Sequence, residues 1–525
     1  MQKLIYLTLG LVMACCNATQ NTTTETAQPS RQEVVDPRPY AEVIKESDLK
    51  KHLYIYASDE FEGRETGKPG QKKAVAYLKG QYEKMGIPAA KSDGDYFQEV
   101  PLVEAQLPTG SVTINGTTYP IGEDILSTMA ITGDYGQIVY AAYGIEDGDY
   151  SDYEGMDVSG KLVLIKMGEP ISEDGTYTLT GTNEKSIWSN VNESLKKREQ
   201  IAAEKGAKGL LYYDKTYFTS YKNTFERLKA KGNTKMNLKD PNLEDKMSTI
   251  FIDATVAKSL LPDIDTNDNS KILPATITMG LKNADSIIQS ENVAAVIKGS
   301  EKPNEYLIIS AHLDHIGINK YGEINNGADD DGSGTVAVLE IAKAFKKAVD
   351  EGHRPKRSVV FLHVTGEEKG LLGSRYYTDV DPIFPLSQTV ADLNIDMIGR
   401  IDPERKGDRN YVYLIGSDKL STELHNLSEE VNSNCCQLEL DYTYNDDNDP
   451  NRFYYRSDHY NFAKHNIPII FYFNGVHEDY HQPGDTPDKI NYDLLENRAR
   501  LVFYTAWEVA NRQHRVAVDP DKAVN

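Results

Sequence analysis

Five short segments beyond residue 310 hold side chains whose types and spacing could act together: His312-Leu313-Asp314, Gly327-Ala328-Asp329-Asp330-Asp331-Gly332, Glu367-Glu368, Asp396-Met397 and His481-Gln482-Pro483. Between them they supply two imidazoles and several carboxylates, the nitrogen and oxygen donors that zinc takes in open sites that keep a water. His312 and Asp314 are two apart, so on an extended segment both side chains face the same way. The carboxylate can then orient the imidazole or approach a metal itself, and we place Asp314 behind the ligands. Glu367 and Glu368 are neighbours, so at a strand end they point apart. One can bind metal while the other faces the water, and a general base needs a free carboxylate whose pKa is raised by a dry or acidic surrounding.

Most of these segments sit at the ends of apolar, β-rich runs. The runs 306–311, 358–365, 390–395, 411–415 and 468–473 read as strands buried in the middle of a sheet. Helical stretches separate several of them, notably 335–348. This alternation predicts an α/β fold, a mostly parallel mixed sheet with helices on both faces. Ligands of such sheets collect beyond the carboxyl ends of strands, where His312, Glu367, Glu368 and Asp396 fall. Ten of the eleven histidines lie at or after His312, so metal chemistry is confined to the C-terminal part. Upstream, Pro69, the apolar spacing of Ala74, Val75, Leu78, Tyr82 and Met85, and Gly86 as a stop predict a helix covering one sheet face. From about 122 to 283 the character changes to short runs such as 137–143 and 161–166, then a charged helix over 194–205 and a strand over 209–213. This stretch reads as a separate inserted domain.

Lys3, the apolar residues 4–14 and Cys15 follow one another as a bacterial export signal does. At about 1.5 Å per residue the apolar run reaches roughly half-way across a bilayer core, too short for a retained transmembrane helix. Val12-Met13-Ala14-Cys15 resembles a lipoprotein processing box, with Cys15 as the lipidated first residue and 16–40 as a flexible tether. An ordinary cleaved signal is the alternative. The expected location is the cell envelope, lipid-anchored and facing the periplasm or the cell surface, with the membrane touched only through the anchor. A formal charge of -23 repels phosphate backbones and excludes nucleic acid as a partner. Beyond Cys15, only Cys16, Cys435 and Cys436 remain, too few for a disulfide framework. A chain of 525 residues exceeds what one core usually supports, so two or three domains are expected.

In this order the segments resemble the co-catalytic dizinc aminopeptidase family, zinc exopeptidases that include bacterial leucine aminopeptidases, folate hydrolase and the glutaminyl cyclases. The resemblance runs through Ser310-Ala311-His312-Leu313-Asp314-His315, Gly327 to Gly334, Glu367-Glu368, Asn394-Ile395-Asp396-Met397, Ser457-Asp458-His459 and His481-Gln482-Pro483-Gly484-Asp485-Thr486. It implies two Zn²⁺ per chain, with His312 and Asp396 on one, Glu368 and His481 on the other, and Asp330 bridging them. Glu367 becomes the base, and Tyr454 takes the place of a tyrosine that helps hold the oxyanion in some members. With the ligand positions filled, His315, His459 and His477 are expected to be structural or substrate-facing. The implied fold is a phosphorylase/hydrolase-like three-layer αβα domain made of 41–121 and 284–515. The insert 122–283 is similar to a protease-associated domain through Gly136 to Ile145, Asp157 to Ile165 and Ala203 to Gly209. Its implied role is to wall or lid the cleft.

The implied activity is that of an exopeptidase acting on peptides, most readily an aminopeptidase working through a metal-bridging hydroxide. A carboxypeptidase or dipeptidase of the same family is the alternative. A catalytically inactive binding relative usually loses ligands or the base, and all are present here. A glutaminyl cyclase typically does not keep the first histidine, so His312 tells against it.

Overall fold

A computed structural model describes residues 35–232, 235–239 and 246–523. The export signal, Cys15 and most of the tether fall outside the described residues. Nine strands form the larger sheet: β1 (Phe97–Ala105), β2 (Lys235–Leu238), β3 (Ser286–Ile297), β4 (Lys302–His312), β5 (Arg357–Val364), β6 (Thr389–Ile395), β7 (Tyr411–Ile415), β8 (Glu439–Asp441) and β9 (Ile469–Phe473). Their spatial order is β2-β1-β3-β5-β4-β6-β9-β7-β8. β4 pairs in parallel with β5 and β6, and β6 with β9, and every residue of β5, β6 and β9 is buried. That explains why their apolar residues do not alternate with exposed polar ones, and why the polar side chains they carry, such as Asp392 and Asn394, are buried as well.

The parallel arrangement predicted from the sequence is thus confined to the centre and the β7-β8 edge. β1, β2 and β3 pair antiparallel, as do β5 with β3 and β9 with β7. No helical crossover separates β1 from β3 in this sheet; they form a hairpin whose turn is replaced by an entire second sheet, and hairpin partners must run antiparallel.

Four helices cover one face: α1 (Glu46–Tyr56), α2 (Pro69–Met85), α3 (Gly334–Asp350) and α4 (Tyr492–Asn511). Proline opens α2 and Gly86, left-handed at φ 66°, closes it, as the sequence predicts. α3 begins at the carboxyl end of β4 and buries Val336, Leu339, Ile341 and Phe345, each contributing about 1.5–3 kcal/mol. Phe345 packs on Phe361, Phe503 and Trp507, so Phe345→Ala would cost about 3–5 kcal/mol and loosen the layer behind the site. On the opposite face, Tyr377, Phe462 and Ala463 pack against Ile308, Val360, Leu362 and Ile469.

The second sheet has eight strands, with Ile131–Tyr140, Leu162–Lys166, Gly209–Tyr213 and Ser248–Ile252 at its core. Its boundaries differ from the expected 122–283. The hairpin Thr109–Ile114 and Thr117–Pro120 belongs to it, because Thr109–Ile114 pairs with Lys271–Lys282, while β2, from within the insert, belongs to the larger sheet. Among the described residues no helix is long and apolar enough to cross a membrane.

Candidate active site

His312 ends β4, Glu367 and Glu368 follow β5, and Asp396 follows β6. Three adjacent parallel strands therefore deliver four of the six chemically assigned side chains. Asp330 arrives from the turn before α3, and His481 from the loop after β9. The ring of His312 makes its Nδ1–H donate to the Asp314 backbone oxygen at 3.1 Å. A carbonyl only accepts, so this bond places a proton on Nδ1 and turns Nε2 toward the carboxylates. Nε2 lies 3.2 Å from Asp330 Oδ1 and 3.6 Å from Asp396 Oδ1. The other oxygen of Asp330, Oδ2, is 3.1 Å from His481 Nε2, which is 3.2 Å from Glu368 Oε2. One carboxylate thus spans two imidazole-bearing pockets.

The three consecutive aspartates have separate tasks. Asp331 accepts the backbone N–H groups of His312, Gly334 and Met397, tying together the ends of β4, α3 and β6. Asp329 accepts from Gly399 and Ser333 and faces His477 Nε2 at 3.3 Å. Asp485, downstream of His481, accepts the N–H groups of Asp329 and Asp330. Only Asp330 projects its carboxylate between the histidines. Beside the ligands the backbone is left-handed at Met397 (φ 59°) and His481 (φ 57°), conformations that cost non-glycine residues energy and cluster at functional sites.

The charges follow this geometry. Burial lowers the pKa of His312, but Asp396 and Asp330 overcome it and hold the group well above its ordinary value. Against burial and the nearby Asp330, His315 and His481 hold Glu368 down to about 2. Glu367 shifts the other way: burial, then the charges of Glu368, Asp396 and Asp458, keep its pKa well above the usual range. No hydrogen bond to a described residue engages its carboxylate, as a base requires.

Asp314 acts on its neighbours through its backbone as well as its carboxylate. Its backbone oxygen, not its carboxylate, orients His312; the carboxylate lies 3.9 Å from Nδ1 and accepts instead from Thr66 Oγ1 and the Glu367 N–H. The residue still stands behind the ligands, but it positions the loop that carries the two glutamates. Tyr454 packs among Tyr455, His459 and Tyr460, with no contact to the carboxylate cluster. The phenol beside the cluster is Tyr480, stacked at 3.9 Å on His481, with its pKa raised by burial and then by Asp330, Glu368, Glu367 and Asp396. His459 stacks on Phe471, and His477 faces Asp329. His315 instead enters the cluster, with Nδ1 2.8 Å from Glu368 Oε1.

Sequence reading also passed over Arg64. This buried guanidinium donates to the backbone oxygens of Tyr56, Leu313, Asn326 and Gly327, clamping the turn after His312 to the turn before Asp330. An arginine between two glycines in Gly63-Arg64-Glu65-Thr66-Gly67 was the available signal.

Two donor groups among the described residues could each hold a metal ion: His312, Asp331 and Asp396, and His315, Asp330 and Glu368. Donors held at about 2.0–2.1 Å in a tetrahedral zinc site lie roughly 3.3 Å apart, close to the spacings seen here. Asp330 Oδ2 and Glu368 Oε1 are buried without a hydrogen-bond partner. The residues therefore fit a pair of divalent cations.

Comparison with known proteins agrees with this chemistry. Residues 292–506 match the family described as Peptidase family M28. A leucine aminopeptidase 2 from Arthroderma otae is 27% identical over 263 residues, 45% of this chain and 48% of that protein. A probable glutamate carboxypeptidase from Arabidopsis thaliana is 30% identical over 143 residues, 27% of this chain and 20% of that protein. The match thus spans less than half the length of these curated relatives. Among solved structures, an aminopeptidase from Aneurinibacillus sp. strain AM-1 aligns over 92% of this chain and 98% of its own, with a TM-score of 0.45 and 19% identity.

Proposed function

We propose that this chain, whose residues 292–506 match peptidase family M28, is a two-zinc exopeptidase that removes residues from the amino ends of peptides. The observation that carries the reading is Asp330, whose two oxygens face His312 on one side and His481 on the other, with the Glu367 carboxylate nearby and engaged in no hydrogen bond to a described residue. His312, Asp330, Asp396, Glu368 and His481 would hold a zinc pair, which when bound would lower the pKa of a water and polarise the scissile carbonyl. Glu367 accepts the proton of the attacking water and passes it to the leaving amine. Tyr480, against His481, is placed to donate its phenol proton to the oxyanion.

The leucine aminopeptidase relative, matched over the longer stretch, supports the amino-terminal direction. A carboxypeptidase reading has its own support. Arg456 is exposed with Nη2 3.4 Å from the Tyr480 hydroxyl and offers a guanidinium to a terminal carboxylate. Amino-acid arylamides and short peptides with a free amine should be cleaved, and acetylating the amine should abolish cleavage. Full activity on amino-blocked peptides with a free carboxyl end would establish the carboxypeptidase reading instead, and steady internal cleavage would reject both. Export and lipidation at Cys15 belong to the same proposal: incorporation of labelled fatty acid that is lost in Cys15→Ala supports it, and equal incorporation in the variant refutes it.

A further inference from the structure

His315 lies three residues beyond His312, fully buried, and neither ring nitrogen has a hydrogen-bond partner. Its ring reaches the cluster over Gly327, where a Cβ would meet the ring at 2.6 Å and the Asp330 carbonyl at 2.3 Å, so glycine is required there both for this approach and for φ 57°. Nδ1 stands 2.8 Å from Glu368 Oε1 and 3.7 Å from Asp330 Oδ2, and both of these oxygens also lack a hydrogen-bond partner. The ring centroid is 5.7 Å from that of His481. A buried nitrogen and two buried carboxylate oxygens, crowded at ion-pair distances but none engaged in an aligned hydrogen bond, are costly unless one ligand satisfies them together.

We infer that His315 Nδ1 is a sixth protein donor, binding the same cation as Glu368 and His481. This inference rests on the two-zinc reading. It makes the two pockets unequal: two imidazoles and two carboxylates surround one ion, whereas His312, Asp396 and the shared Asp330 surround the other. The ion beside His315 is then the last to leave on chelation. Imidazole-rich surroundings also favour zinc, copper and nickel over the harder magnesium and calcium.

Two measurements on the full chain test this. In a crystal structure of the zinc-loaded protein, the ion beside Glu368 should lie about 2.0–2.1 Å from His315 Nδ1; a separation beyond about 3 Å overturns the inference. In stepwise chelation followed by metal analysis, the two ions should be lost at chelator concentrations at least about tenfold apart, and His315→Ala should weaken retention of the later ion by at least about tenfold. Retention of both ions unchanged in His315→Ala overturns the inference and leaves the two-zinc reading standing. Failure of the unaltered protein to bind zinc at all removes both. The crystallographic distance needs no variant, so it decides the matter if His315→Ala does not fold.

Discussion

The two sheets bury charged groups in opposite ways. In the second sheet Asp152 accepts from the N–H groups of Tyr143 and Ile145 and from the Tyr150 hydroxyl, and Glu169 accepts from Ser186 and Ser189. Those carboxylates are saturated by their own neighbourhood and act as staples. At the carboxyl ends of β4, β5 and β6, saturated aspartates such as Asp331 surround a core of unsaturated donors on Asp330, Glu368 and His315. A buried charge by itself therefore says little about chemistry; a cluster of buried donors left unpaired, inside a ring of paired ones, marks the place where something else must bind.

The largest expected effect tests the shared member of that cluster. Asp330→Ala should loosen both ions, releasing first the one beside His312, with loss of measurable turnover, because both pockets lose a donor together. Unchanged affinity for either ion would refute the bridging role. Glu367→Gln should lower kcat by roughly 10² to 10⁴ while zinc content stays unchanged, whereas Glu368→Gln should release metal. Interchangeable behaviour of the two variants would show that the roles were misassigned.

Acid should separate the sheets by stability. Burial holds His363 and His459 neutral, with pKa pushed down to about 3, whereas the second sheet contains no histidine. A folded-state pKa below the unfolded value of about 6.5 means that the unfolded chain binds protons first. The stabilising contribution is therefore full above about pH 6.5 and is lost as pH falls toward 3. Trp507 reports on the catalytic half and Trp188 on the insert. In urea, the shift of the Trp507 fluorescence transition of a Trp188→Phe protein between pH 7.5 and pH 5 should be less destabilising when His459→Phe is added, because the added change removes a group held neutral by burial, and the same change should leave the Trp188 transition of a Trp507→Phe protein as it was. An equal effect on both transitions would erase the contrast. The smallest effect on the site should come from Leu211→Ala in the core of the second sheet, which should cost about 2–5 kcal/mol in urea unfolding and leave zinc content unaltered.

Much of this arrangement was legible because strand and ligand share a boundary: an apolar run that ends in His312, Glu367 or Asp396 shows both the sheet and its reactive edge. What was hidden depends on pairing across the chain. The antiparallel flank could not be seen, since β1 and β3 are hairpin partners separated by more than a hundred and fifty residues. The start of the insert was misplaced because Thr109–Ile114 alternates like any half-buried strand, and only its partner decides which sheet it joins. Tyr480 was overshadowed by a tyrosine-rich loop upstream, although its place next to His481 was the signal. Five ligands complete the sequence pattern without His315, and a count of ligands says nothing about which nitrogens the fold leaves without an aligned hydrogen bond.

Glu104 and Ser286 face each other as the last register pair of the β1-β3 hairpin. For protein engineering, the second sheet is a domain grafted into a reverse turn, a topology tolerated because the entropy of closing a loop rises only by about 0.6 kcal/mol for each doubling of its length. The graft can be excised on paper and the ends rejoined with an Asn-Gly turn. Excision also removes β2, the strand that covers β1. A trimmed chain would newly bare the outer edge of β1 over Leu102–Ala105, and its characteristic failing would be edge-to-edge association of copies, curable by a lysine or proline on that strand rather than by repair of the metal-binding residues.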